Sequence, residues 1–98
     1  MAEYLIRTGA GEWPAFHRDR MESVLIPTEG FQCEPVEGWG DFRMSCGDTT
    51  VAFSGEMHGW QVVIEGAMSD GDGDRLVEII TRQVAAEIGE PFEWVRYD

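Results

Sequence analysis

Phe42-Arg43-Met44-Ser45-Cys46-Gly47-Asp48-Thr49-Thr50-Val51-Ala52-Phe53-Ser54-Gly55-Glu56-Met57-His58-Gly59-Trp60-Gln61-Val62-Val63-Ile64-Glu65 is the stretch that decides the fold. Phe42, Met44 and Cys46 alternate with Arg43 and Ser45, the two-residue period of a strand with one buried face. Gly47-Asp48 supplies a turn, and Val51-Ala52-Phe53-Ser54 runs back. Gly55-Glu56-Met57-His58-Gly59 turns the chain again into Trp60-Gln61-Val62-Val63-Ile64-Glu65. The expectation is a three-stranded antiparallel meander, with Phe53, Val62 and Ile64 on its buried side.

C-terminal to the meander, Ser69-Asp70-Gly71-Asp72 opens a helix. Ser69 is the candidate cap, and acids stand where the helix dipole is positive. Leu76, Val77, Ile80, Val84 and Ile88 share one face until Gly89 and Pro91 stop the run. Phe92, Trp94 and Arg96 then alternate with Glu93, Val95 and Tyr97, as a last strand does. N-terminal to the meander, Tyr4-Leu5-Ile6-Arg7-Thr8 reads as a strand, stopped by Gly9-Ala10-Gly11. A helix follows, with Pro14 at its first position and Trp13, Phe16, His17, Met21, Val24 and Leu25 at steps of three and four residues before Pro27. Pro27, Gly30, Pro35, Gly38 and Gly40 punctuate the stretch from 28 to 41, which leaves room for an irregular edge strand near Phe31 to Glu34. The order is strand, helix, three-strand meander, helix, strand. It predicts an α+β two-layer sandwich: an antiparallel or mixed sheet with both helices on one face, ferredoxin-like or related, as a single domain over residues 1–98.

The 98 residues carry nineteen acids against seven basic residues, all arginine, for a formal charge of −12. Residues 28 to 74 hold ten of the acids and one cation, Arg43, a net of −9. Nucleic acids and anionic membranes draw their partners through Lys and Arg, so neither is an expected partner. No apolar run approaches the roughly 20 residues of a membrane span, and the opening residues lack a cationic segment followed by an apolar one. A cytoplasmic location is therefore expected, with Cys33 and Cys46 reduced and read as small core residues.

Asp70-Gly71-Asp72-Gly73-Asp74 resembles the opening of a calcium loop, yet Arg75 stands where that loop needs Gly and Thr81 where it needs its closing Glu. Acids complementing a helix N-terminus explain it better. Cys33, Cys46, His17 and His58 would make a zinc set only by converging from scattered elements, without the paired spacing of zinc sites. Thr8-Gly9-Ala10-Gly11 lacks the third Gly and the Lys of a phosphate loop, and Ser54-Gly55 is no nucleophile elbow. Neither a metal nor a cofactor is expected.

Trp39, flanked by Gly38 and Gly40 in an irregular polar stretch, is either a plug over the sheet or an exposed anchor of the kind that dominates interfaces. The first functional reading is a non-catalytic binding or regulatory domain, inhibitor-like or immunity-like, whose acidic surface meets a basic protein through Glu34, Glu37, Trp39, Asp41, Glu56 and Met57. Self-association through an edge strand is compatible with it, as is a structural subunit of an assembly. The rival is a small enzyme or ligand-binding domain with a pocket between sheet and helices, using His58 as acid or base with Glu56 and His17.

Overall fold

The computed structural model describes residues 1–8 and 17–97. Strand β1 (Ala2–Thr8) comes first, then a 3-10 turn at Arg18–Arg20 running into α1 (Met21–Leu25). Next come β2 (Glu34–Pro35), β3 (Phe42–Cys46), β4 (Thr49–Glu56), β5 (Gly59–Glu65), α2 (Asp70–Ile88) and β6 (Phe92–Arg96). All described strands pair antiparallel in one six-stranded sheet, in the order β2-β3-β4-β5-β1-β6. The α+β class is as expected, but the sheet has six strands rather than the four of a ferredoxin-like layout.

The meander forms in the expected register, with Phe53 opposite both Phe42 and Val62. Its second turn is tighter than expected, Met57–His58 alone, because β4 continues to Glu56 and β5 starts at Gly59. Gly59 allows that tightness: its φ is +153°, and a Cβ there would strike the Ile6 carbonyl of the adjacent strand. The edge strand lies at Glu34–Pro35 instead of Phe31–Glu34. The reason is Phe31, which packs against the core beneath the Arg75 guanidinium, 5.0 Å above its ring, and so leaves the plane of the ladder.

Of the first expected helix, Trp13, Pro14 and Phe16 lie outside the described residues, as does the Gly9-Ala10-Gly11 connection. The described part is short. His17 caps the 3-10 turn, its Nδ1 accepting from the Asp19 amide at 3.4 Å, and Met21, Val24 and Leu25 are buried. Ile26 is already extended, the conformation that the following Pro27 imposes. The Gln83 side chain then holds the exit of α1. Its Nε2 donates to the carbonyls of Val24 and Ile26, both at 2.8 Å, while its Oε1 accepts from the Thr28 amide and hydroxyl.

Helix α2 starts and stops where its signals place it. The Ser69 hydroxyl accepts from the Asp72 amide at 3.2 Å, and Gly89 closes the helix at a left-handed φ of +82°. The three carboxylates of its first turns are engaged by side chains, not gathered around an empty centre. Arg96 bridges Asp70 at 2.9 Å and Asp74 at 3.3 Å, Arg75 holds Asp72 at 3.2 Å, and the Tyr4 hydroxyl donates to Asp74 at 2.7 Å.

Alternate strand residues form one buried cluster with the helices: Tyr4, Ile6, Phe53, Trp60, Val62 and Ile64 meet Val24 and Leu25 of α1 and Leu76, Val77, Ile80 and Val84 of α2. Ile80 is wholly buried, so Ile80→Ala removes about three methylene-sized groups from a close-packed interior. It should cost about 2–5 kcal/mol, read from the urea midpoint at unchanged slope.

Tyr4 gives a second expectation. Burial, and then its hydrogen bond to Asp74, raises its pKa above the ordinary tyrosine value. The unfolded chain therefore loses that proton first, and stability should fall as pH rises above about 10. Tyr4→Phe should flatten that alkaline decline in a series of urea titrations.

Candidate functional site

Each strand has a second face, and no described helix covers it. Residues opposite one another in an antiparallel ladder share a face, so the register defines this one row by row. Arg43, Ala52, Val63 and Glu3 form one row; Ser54, Gln61, Leu5 and Val95 form the next. Leu5, Ala52 and Val63 are buried yet belong to no part of the core cluster. They make an apolar floor on the helix-free side. Glu34 lies opposite Ser45 and Glu56 opposite Gly59, which sets both carboxylates on this same face.

The connection between β2 and β3 is a hairpin, and it carries Trp39. Its base is tied twice: the Val36 amide donates to the Arg43 carbonyl at 3.0 Å, and the Asp41 amide donates to the Phe53 carbonyl at 2.8 Å. The Asp41 carboxylate accepts from the Gly55 amide at 2.7 Å, fixing the hairpin against the end of β4. Asp41 thus shapes the loop as well as charging it. Trp39 is 51% exposed, with the Arg43 guanidinium 5.8 Å from its ring centroid. Because Arg43 belongs to the helix-free face, the indole lies toward that side. Beside it an open hollow of about 630 Å³ is lined by Pro35, Val36, Glu37, Asp41, Phe42 and Arg43.

The cysteines expected as thiols are joined, Cys33 to Cys46, with their Cα atoms 4.2 Å apart. They pack against the core as expected but are oxidised. A residue at the end of β3 and one just before β2 come together only when the hairpin forms, and the separation of the two positions in sequence hid that proximity. Disulfides persist in oxidising settings, which sits against the expected reduced cytoplasm. No helix among the described residues is long and apolar enough to cross a membrane.

A second recess, of about 360 Å³, opens on the helix-free face, lined by Leu5, Glu56, Met57, His58, Gln61 and Tyr97. Met57 is 84% exposed and Tyr97 57%. Glu56 and His58 both line this recess, which does not lie between sheet and helices, where the core fills the space. His17 caps its turn elsewhere and lines no part of this recess. Among the described residues the lining contains no Ser, Thr or Cys to act as nucleophile. Among the described residues, no group of three or more His, Cys, Asp and Glu side chains is gathered so as to hold a metal.

Sequence reasoning named Trp39, Met57, Glu34, Glu37, Asp41 and Glu56 but missed Leu5, Arg43, Gln61 and Tyr97. Strand alternation alone would have placed Leu5 and Gln61 opposite the core. The contribution of Tyr97 depends on the pairing of β6 with β1. Compared with family models, with curated proteins and with solved structures, the chain finds no match in any of the three.

All of the hairpin from Glu34 to Ser45 lies inside the disulfide loop. Replacing both Cys33 and Cys46 with Ser should cost about 2–4 kcal/mol of global stability, read by urea denaturation. It should also raise amide hydrogen exchange at residues 34–45 more than in α2.

Proposed function

We propose that the protein is a non-catalytic binding domain whose helix-free, acidic sheet face receives a basic protein, in the manner of an inhibitor or immunity protein. The observation that carries this is the half-exposed Trp39, mounted on a braced hairpin whose hollow is lined by Glu37 and Asp41, with Glu34 at the hairpin's base. A large aromatic held in water by a braced loop is the form that interface anchors take. Surrounding carboxylates would steer a cationic partner to it. Glu56 and Met57 extend the surface along the β4–β5 turn.

The scaffold fits that use. Without β2 and β3 the chain reads strand-helix-strand-strand-helix-strand, which supports a ferredoxin-like description with two strands added at one edge. The added pair carries the hairpin. A cytoplasmic setting would hold Cys33 and Cys46 as thiols, so the braced hairpin carries with it an oxidising one. Self-association would use β6, since β2 at the opposite edge has two residues and one is Pro35. Repulsion between chains of charge −12 acts against it.

Charge and anchor should separate kinetically. With a basic protein captured from the source cell, Glu34→Gln with Glu37→Gln should slow association and flatten its salt dependence, because exposed charges are screened over about 8 Å at physiological salt. Trp39→Ala should speed dissociation and cost about 2 kcal/mol or more of binding. Unchanged rate constants in both folded variants would reduce the acidic face to a solubility device.

A further inference from the structure

We propose that the recess between the β4–β5 turn and Tyr97 is a binding site for one cationic side chain, arginine or lysine, with Glu56 as its counter-ion. The inference rests on the reading of the helix-free face as a receptor for a basic protein. The recess has the three parts that such a side chain requires. Leu5, 4% exposed, and Met57 offer apolar surface for the methylene stem, which long cations bury while their head stays polar. Tyr97, exposed in the same lining, supplies an aromatic ring to which a cation is attracted. Glu56 on the rim supplies the opposite charge, and the Gln61 amide oxygen is a further acceptor.

Glu56 is a carboxylate in the recess lining with no ion pair among the described residues. Arg7 is paired with Glu93, Arg20 with Glu87, Arg75 with Asp72, Arg82 with Glu78, and Arg96 with Asp70 and Asp74. Arg43 lies over Trp39. Among the described residues no cation is paired with Glu56, so an incoming one displaces no internal partner. The chain's charge of −12 excludes an anionic occupant by the same long-range term that favours a cationic one. The site is a side-chain pocket next to the Trp39 hairpin, and a basic segment lying across the face would fill both.

The test uses amide chemical shifts of the intact, disulfide-bonded protein titrated with three probes: N-acetylarginine methylamide, N-acetyllysine methylamide and the neutral N-acetylnorleucine methylamide. The two cations should move the resonances of residues 56–61 and 97 with dissociation constants in the roughly millimolar range, and norleucine should not. Glu56→Gln should weaken the cations about twofold to fivefold, the range of an exposed ion pair. Tyr97→Ala should weaken them as well, with α2 shifts confirming that both variants stay folded. Equal shifts with norleucine would make the recess a plain apolar pocket, and no shifts from any probe would remove the site; either result overturns the proposal. If the recess fails while a basic protein still depends on Trp39 and on Glu34 with Glu37, the receptor reading stands without it. If both fail, the face is no receptor.

Discussion

The structure depends on where β1 lies. The first strand enters between β5 and β6, so residues 4 to 6 pair with residues 60 to 62 on one side and 94 to 96 on the other. Until β1 docks, the meander has no neighbour beyond β5, and the last strand has no ladder to join. Tyr4 and Ile6, both wholly buried, then close the core over α2, and Tyr4 links it to the helix start through Asp74. Ordering that strand brings together chain segments more than fifty residues apart, a large entropic cost that the apolar contacts must offset. The same pairing sets Val95 beside Leu5 and Tyr97 beside Glu3, so the candidate pocket exists only because β1 is central.

Among the described residues both helices pack on one face of the sheet. A five-residue α1 and a nineteen-residue α2 meet the apolar residues on one face of six strands, and none of the described helices remains for the other. A solvent-facing side of an antiparallel sheet is ordinarily polar. Here Leu5, Ala52 and Val63 make part of it apolar, with acids around them. What remains exposed is concentrated in Trp39, Met57 and Tyr97, each on a turn or at a strand end, where side chains can extend outward.

The elements legible in the sequence were those whose signals are local. Alternation in Phe42–Cys46, the Ser69 cap and the Gly89 stop each act within a few residues, and the meander and α2 lie where these signals place them. Phe31 was misread because its period suits a strand, while its partner, Arg75, is forty-four positions away. The disulfide escaped for a similar reason: only the β2–β3 pairing brings Cys33 to Cys46. Of the candidate site, the exposed Trp39 and Met57 and the carboxylates could be named from residue type and turn context. Tyr97 and Gln61 join it through tertiary register, which no local pattern carries.

Register also revises the electrostatics. Residues 28 to 74 hold ten acids against Arg43, but those acids do not contribute equally to the helix-free face. Asp70, Asp72 and Asp74 belong to the first turns of α2, where Arg96 and Arg75, from outside the segment, offset two of their three charges. Asp41 is shared with the Gly55 amide. By register Glu34, Glu56 and Glu65 stand on this face with Glu3 of β1, and Glu37 lines the hollow of the hairpin, so these nearby charges dominate once salt screens the rest beyond about 8 Å. On the proposed reading, carboxylates spread around an aromatic anchor and a side-chain recess would specify position better than a larger uniform charge. An attraction that is strong everywhere orients nothing, whereas a local one, with Trp39 and the Tyr97 recess as two separate contacts, would favour a single direction for the basic segment that the proposed function requires.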